Sequence, residues 1–174
     1  MKDGNKRREK ILTDLAAAEK PISASRFAKE FGVSRQIIVG DVALLRASGE
    51  EIIATARGYV LEQKSTKRIS KLAVQHDETQ AEEELRTIVD RGAEIIDVIV
   101  EHPLYGELVG GLHIKTQQDV DNFLQNYRAT EASLLSQLTD GIHLHTIAYE
   151  EPDDLAKIKQ ALSEKGILYE EKEA

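Results

Sequence analysis

The 174-residue sequence contains no cysteine and no tryptophan, one methionine, three prolines and only 5% aromatic residues. Without cysteine there can be no disulfides, thiolate metal sites or thiol nucleophiles, so any metal ion falls to imidazole and carboxylate ligands. No apolar run approaches the roughly 20 residues that a membrane span requires. The opening MKDGNKRREK also lacks the apolar core of a secretory signal. These absences predict a cytoplasmic chain that makes no membrane crossing. Phosphate-binding and covalent chemistry lack their usual residues as well. GGLHI at 110–114 follows an apolar stretch without the spacing of a P-loop or dinucleotide fingerprint, and there is no Gly-x-Ser-x-Gly nucleophile elbow.

What is present is unevenly distributed. The net charge is −8, but residues 1–62 hold 11 Lys/Arg against 9 Asp/Glu, whereas residues 63–174 hold 12 against 22. The front is compatible with a polyanion and the back is not, which predicts two units with different partners. With 41% apolar residues spread throughout, both can fold around a core. The boundary is expected within the polar run EQKSTKRIS, residues 62–70, giving domains at 1–64 and 69–174.

In the first domain, Ile11, Leu12 and Leu15 recur at helical spacing before Pro21. Ser23 is placed to cap a second helix that buries Phe27, Ala28 and Phe31, and Gly32 is placed to stop it. Ser34 is placed to cap a third helix, with Ile37, Ile38, Val42, Leu44 and Leu45 expected to pack and Gly49 to close it. Two short helices around the tight FGVSR turn are a helix-turn-helix pattern. Gly40 costs the third helix about 1 kcal/mol relative to alanine, with no reason visible in the sequence.

Residues 1–62 resemble the winged helix-turn-helix modules of bacterial repressors, particularly the small class of biotin-operon type. In such modules the N-terminal part of the recognition helix enters the major groove. The resemblance therefore assigns DNA contact to Ser34, Arg35 and Gln36; Arg and Gln can bond two-pronged to guanine and adenine edges. EIIATARGYVLE then corresponds to the wing, with Arg57 near its tip facing phosphates, and Lys6, Arg7, Arg8 and Lys10 add a basic lead-in. Asp41 is expected to face away from DNA. A helical protein-interaction module is the alternative.

The second domain reads as strand (ISKLAVQH), helix (with Asp77 as cap, Gln80 as its capping-box partner and Gly92 as stop), strand (AEIIDVIVEH), strand (GELVGGLHI), helix (with Thr116 as cap), strand (IHLHTIAYE) and helix (PDDLAKIKQALSEKG). The terminal ILYEE suggests a short edge strand. This order predicts an α+β fold, an antiparallel sheet with helices on one face.

All five histidines, His76, His102, His113, His143 and His145, lie in this second domain. A scattered histidine is ordinarily a packed or surface residue. In IHLHT, however, His143 and His145 stand two apart and share one strand face, expected to be exposed. His76 ends the first strand and Glu84 lies on the flank of the following helix face, so three nitrogens and one carboxylate are available for a divalent transition ion such as Ni²⁺, Zn²⁺ or Fe²⁺.

From Ile69 onward the sequence resembles the three-histidine domain that follows the same winged module in nicotinate-responsive repressors. The likeness is carried by His76 with Glu84, EHPLYGEL, DVDNF and GIHLHT. It implies metal binding by His76, Glu84, His143 and His145, a sheet similar to that of a histidine-containing phosphocarrier protein, and nicotinic acid as a co-repressor. A homodimer on operator DNA is expected because a single recognition helix reads only one half-site, and no enzymatic activity is expected, since an attached DNA module is an odd companion for hydrolysis. His102 and Tyr105 would then line the effector pocket, with Arg128 as a carboxylate partner, although Pro103 and Gly106 also account for EHPLYGEL as a plain turn. The alternatives are a metal-responsive repressor and a metal-dependent hydrolase, for which no second base is evident.

Overall fold

The computed structural model describes residues 3–62, 66–129 and 134–171. The chain divides into two compact units, Met1–Ser65 and Thr66–Ala174. Residues 63–65, within the stretch expected to hold the boundary, lie outside the described residues.

The first unit contains α1 (Gly4–Ala17), α2 (Ala24–Phe31), α3 (Arg35–Ala47), β1 (Ile52–Thr55) and β2 (Gly58–Leu61). Each helix start follows from a short polar side chain that accepts from otherwise unpaired amides. Asp3 Oδ1 accepts from Asn5 N at 2.9 Å, Ser23 Oγ from Arg26 N at 3.1 Å, and Ser34 Oγ from Ile37 N at 3.3 Å. Gly32, at φ 65°, ends α2 in the left-handed region and lets the chain turn at once into α3. The core gathers Ile11, Leu15, Phe27, Phe31, Ile38, Val42, Leu45 and Ile52, with the Phe27 and Phe31 rings stacked at 5.6 Å.

Two expectations for α3 fail. Ile37 and Leu44, assigned to packing, are 45% and 57% exposed, whereas Asp41 is buried. Hydrophobicity alone drew the inward face too wide: Ile38, Val42 and Leu45 are buried as assigned, Asp41 lies among them as a residue facing away from DNA would, and Ile37 and Leu44 sit on the flank. The β1–β2 hairpin also gains a third segment that the sequence concealed. Ile22 N donates to Tyr59 O at 3.0 Å and Tyr59 N to Ile22 O at 2.8 Å. Gly58 allows this approach, because a Cβ there would stand 2.5 Å from the Ile22 carbonyl carbon.

The second unit runs β3 (Arg68–Gln75), a 3₁₀ turn at Glu78–Gln80, α4 (Ala81–Asp90), β4 (Glu94–His102), β5 (Gly106–Ile114), α5 (Gln117–Ala129), a 3₁₀ turn at Leu135–Thr139, β6 (Ile142–Tyr149) and α6 (Pro152–Glu164). The strands form one antiparallel sheet in the order β3-β6-β4-β5, which is the mixed α+β fold expected. Leu72, Val74, Ile95, Ile114, Ile147 and Tyr149 pack one side of it against Leu85, Ile88, Leu124, Ile158 and Leu162 of α4, α5 and α6.

Some local expectations shift. Asp77 caps the 3₁₀ turn by accepting from Thr79 N at 2.9 Å, so Gln80 is no capping-box partner and α4 starts without a side-chain cap. Thr116 does cap α5, with Asp119 N donating to Thr116 Oγ1 at 3.1 Å. The terminal edge strand shrinks to one bridge between Leu168 and Val74.

Candidate metal centre and nucleic-acid interface

Three elements of the second unit bring the polar cluster together. The period-two alternation of β6 puts His143 opposite Val74 and His145 opposite both Leu72 and Val98, on the helix-covered face. His76 follows the last residue of β3, and Glu84 lies in the first turn of α4. The four side chains are buried, with relative exposures of 7% (His76), 1% (Glu84), 4% (His143) and 3% (His145). This corrects the expectation that His143 and His145 are exposed: the IHLHT histidines point beneath the helices, not to water.

Each imidazole is oriented by a main-chain carbonyl. Nδ1 of His76 lies 2.6 Å from Asp77 O, that of His143 2.9 Å from Gly141 O, and that of His145 2.8 Å from Asp97 O. A carbonyl only accepts, so each Nδ1 carries the proton and each Nε2 is turned inward. The Nε2 atoms of all three histidines meet the Glu84 carboxylate. One ligand atom each from His76, Glu84 and His143 fall within 4.8 Å of one another, and His145 Nε2 contacts Glu84 Oε1. The His76–His143 and His143–His145 ring pairs are nearly perpendicular, with centroids 4.9 and 4.8 Å apart.

The residues fit a divalent ion. His76 Nε2 and Glu84 Oε2 are buried and pressed against each other without a contact that meets hydrogen-bond geometry, an arrangement that an ion between the ligand atoms would relieve. Three imidazole nitrogens with one carboxylate oxygen suit zinc, nickel or ferrous iron, and the carbonyls behind them are the usual outer support of such ligands. Burial alone would push the Glu84 carboxyl up. When no ion is bound, a second proton, on Nε2, gives His145 its charge and lets His143 and His145 donate to Glu84; together these outweigh burial and hold the carboxyl well below the usual carboxylate range. Burial likewise lowers the His145 imidazole, but Glu84 wins and the net shift is upward.

Sequence reasoning missed the supporting residues. Gly141 sits at φ 86°, its carbonyl accepts from His76 N at 3.3 Å as well as from His143, and a Cβ there would run into the His76 carbonyl. The signal was present as the glycine of GIHLHT, but only the tertiary contact gives it meaning.

The expected effector residues are more dispersed. By alternation His102 shares the sheet face of Val98 and His145. Its Nδ1 accepts from Leu104 N at 3.1 Å and Tyr105 N at 3.3 Å, and its ring is 5.0 Å from that of Tyr105, which is 71% exposed. Arg128 is exposed and pairs with Glu82 at 3.5 Å. Among the described residues, none of these three bonds to the buried four.

In the first unit, Ser34, Arg35 and Gln36 are exposed at the start of α3, the Ser34 hydroxyl acting as its cap. Arg57 is half-buried in the β1–β2 turn, with its amide donating to Thr55 Oγ1 at 3.2 Å. The basic lead-in needs correction. Arg7 is buried and donates to Asp41 through Nε at 2.5 Å and Nη2 at 3.2 Å, Arg8 Nη1 reaches Asp41 at 3.2 Å, and Lys10 pairs with Asp14.

Comparison with known proteins accords with both halves. Residues 7–60 match an HTH domain and residues 69–171 match the 3H domain. The chain belongs to the 3H-domain family. Over 171 residues it is 40% identical to the transcription repressor NadR of Bacillus subtilis (strain 168), covering 95% of this chain and 94% of that protein. Over 165 residues it is 38% identical to the probable transcription repressor NiaR of Thermotoga maritima, covering 95% and 94%. These 3H-domain relatives are named as repressors and not as enzymes, in line with the non-enzymatic reading of the sequence. No described helix is long and apolar enough to cross a membrane.

Proposed function

We propose that the chain is a homodimeric repressor of niacin-uptake or NAD-precursor genes, with nicotinic acid as co-repressor and a divalent transition ion resident in its second unit. The observation that supports this most is the buried convergence of three Nε2 atoms on Glu84 in a chain that also carries a helix-turn-helix. The names of the two relatives support the repressor role, and the connection with niacin rests on the likeness carried by His76 with Glu84, EHPLYGEL, DVDNF and GIHLHT. Residues 1–64 carry operator binding, with Arg35 and Gln36 reading bases and Ser34 and Arg57 approaching the backbone. Residues 69–174 carry sensing. A homodimer follows because one recognition helix reads one half-site, and paired helices a turn apart match a palindrome.

His76, Glu84, His143 and His145 would hold the ion, which supplies a Lewis-acid position for a pyridine nitrogen or a carboxylate. The carbonyls of Asp77, Gly141 and Asp97 keep the imidazoles aimed inward. His102 and Tyr105 offer a donor and an aromatic face to a planar acid, and Arg128 a guanidinium to its carboxylate. Nicotinate lowers transcription if it binds the DNA-competent arrangement more tightly than the other.

Metal analysis of the purified protein, followed by calorimetry with nicotinate and nicotinamide and by operator titration, tests this reading. The expected result is about one ion per chain lost in the His143→Ala variant, and operator affinity that rises with nicotinate only when the ion is bound. Operator affinity that follows metal identity and ignores nicotinate would make the ion itself the signal.

A further inference from the structure

We infer that Gly40 belongs to the DNA-reading surface, as a position that must stay bare for α3 to seat in the major groove; this rests on the DNA-binding reading of the helix-turn-helix unit. A glycine in the middle of a 13-residue helix is an unfavourable choice, since it adds backbone entropy to the unfolded chain. Such a choice is often explained inside the fold, by a close neighbour or a left-handed backbone. Neither holds here. Gly40 is exposed, a Cβ built on it meets nothing within 4 Å among the described residues, and its φ is not among the positive values. Nothing within the helix-turn-helix unit, among the described residues, accounts for the missing side chain.

Helical geometry gives the direction. The inward residues of α3 are Ile38, Asp41, Val42 and Leu45. At 3.6 residues per turn, Gln36 and Gly40 lie about 160° and 200° round from Ile38, on the opposite side of the helix. Gly40 is thus one turn beyond Gln36 on the outward side of the helix, while Arg35, about 100° round from Gln36, opens the helix on its flank. An α-helix with its side chains is about 10–12 Å across, and the major groove of B-form DNA is about 12 Å wide. A helix that nearly fills its groove is sensitive to a single added side chain on the leading face. At Gly40 the backbone itself can approach the base edges, and Arg35 and Gln36 can reach deeper than they would if the helix were held off. Ile37, 45% exposed on the flank of the same line, supplies an apolar surface suited to a thymine methyl group. The ligand assigned is double-stranded DNA with base edges presented in the major groove.

The test uses the full chain, both alone and with zinc or nickel and nicotinate added, and a duplex selected by the unmodified protein from a random-sequence library, with unselected duplex as the comparison. Gly40→Ala should raise the melting temperature while weakening binding to the selected duplex by about tenfold or more, leaving unselected duplex within about twofold. Gly40→Leu should weaken selected binding further. Greater stability with poorer specific binding is a combination that a purely structural role for this position cannot produce. Undiminished binding of the selected duplex by both variants would overturn the assignment of Gly40 alone. An unmodified chain that enriches no sequence would overturn the DNA-binding reading, and the Gly40 assignment with it.

Discussion

Asp41, in the middle of α3, is clamped to Arg7 of α1 by two hydrogen bonds, from Nε at 2.5 Å and Nη2 at 3.2 Å, with both side chains buried. The pair ties the helix carrying Arg35 and Gln36 to the first helix of the unit. Removing one partner of a buried pair costs more than replacing both, because it strands a charge. Asp41→Ala is therefore expected to destabilise the unit by about 3 kcal/mol, the low end for a buried pair because Arg7 has a long stem that can swing toward water. The Arg7→Met, Asp41→Leu double variant should recover most of that loss. Urea unfolding of all three proteins checks it, and a double variant as unstable as the single one would show that the pair is not the cause.

At the 3H-domain centre, an ion that binds only the folded chain should raise stability by about 2.7 kcal/mol when present at 100 times its dissociation constant. Zinc or nickel is thus expected to raise the melting temperature of the metal-stripped protein. Glu84→Gln, which keeps the shape but removes the charge that all three histidines face, should abolish most of the increase. Thermal scans with and without metal decide this. An equal rise in the variant would place the ion elsewhere.

Gly141 permits one carbonyl to serve both His76 and His143. Gly141→Ala introduces a left-handed strain and a collision with the His76 carbonyl at once. A loss of about 1–3 kcal/mol is expected from the backbone conformation alone, together with weaker metal uptake in equilibrium dialysis. Unchanged uptake in a folded variant would separate the glycine from the centre.

A pH effect is expected away from the centre. Burial pushes the Glu94 carboxyl up, but the hydrogen bond with His113, at 3.2 Å, and the charges of Lys115, His113 and Lys67 outweigh it, so its pKa is depressed. A depressed folded-state pKa means that the contribution is present above the ordinary carboxylate range and is lost as pH falls through the lower folded value. Glu94→Gln should flatten the acid side of the stability profile and lower stability near neutrality. Acid titration of unfolding free energy for both proteins is the measurement, and superimposable slopes below the carboxylate range would rule it out.

Arg35→Ala is expected to weaken operator binding by about 1–3 kcal/mol while random DNA is less affected, if its guanidinium reads a base. Equal losses on both would make it a phosphate contact.

Much of the fold was legible because local rules dominate at element ends. Ser23, Ser34 and Thr116 cap where their spacing placed them, and the alternation in IHLHT did set His143 and His145 on one face. The site was legible as a set of residue types. Its burial was not, because period two says that two residues share a face but not which face the helices cover. Arg7 and Arg8 were misread for a related reason: a basic run looks solvated until a distant carboxylate such as Asp41 is brought beside it.

The sequence by itself determined the two-unit organisation, the α+β order and the residue types available for chemistry, since propensity, capping and periodicity act over a few residues. Only the tertiary structure decided that β6 inserts between β3 and β4, that this carries His143 and His145 beneath α4 onto Glu84, and that Gly141 and Asp97 aim them. Those are long-range pairings, selected by packing the whole sheet against its helices, and no local pattern specifies them. Gly40 is the converse case: the sequence showed an unexplained cost, and among the described residues the unit's own packing offers no reason for it.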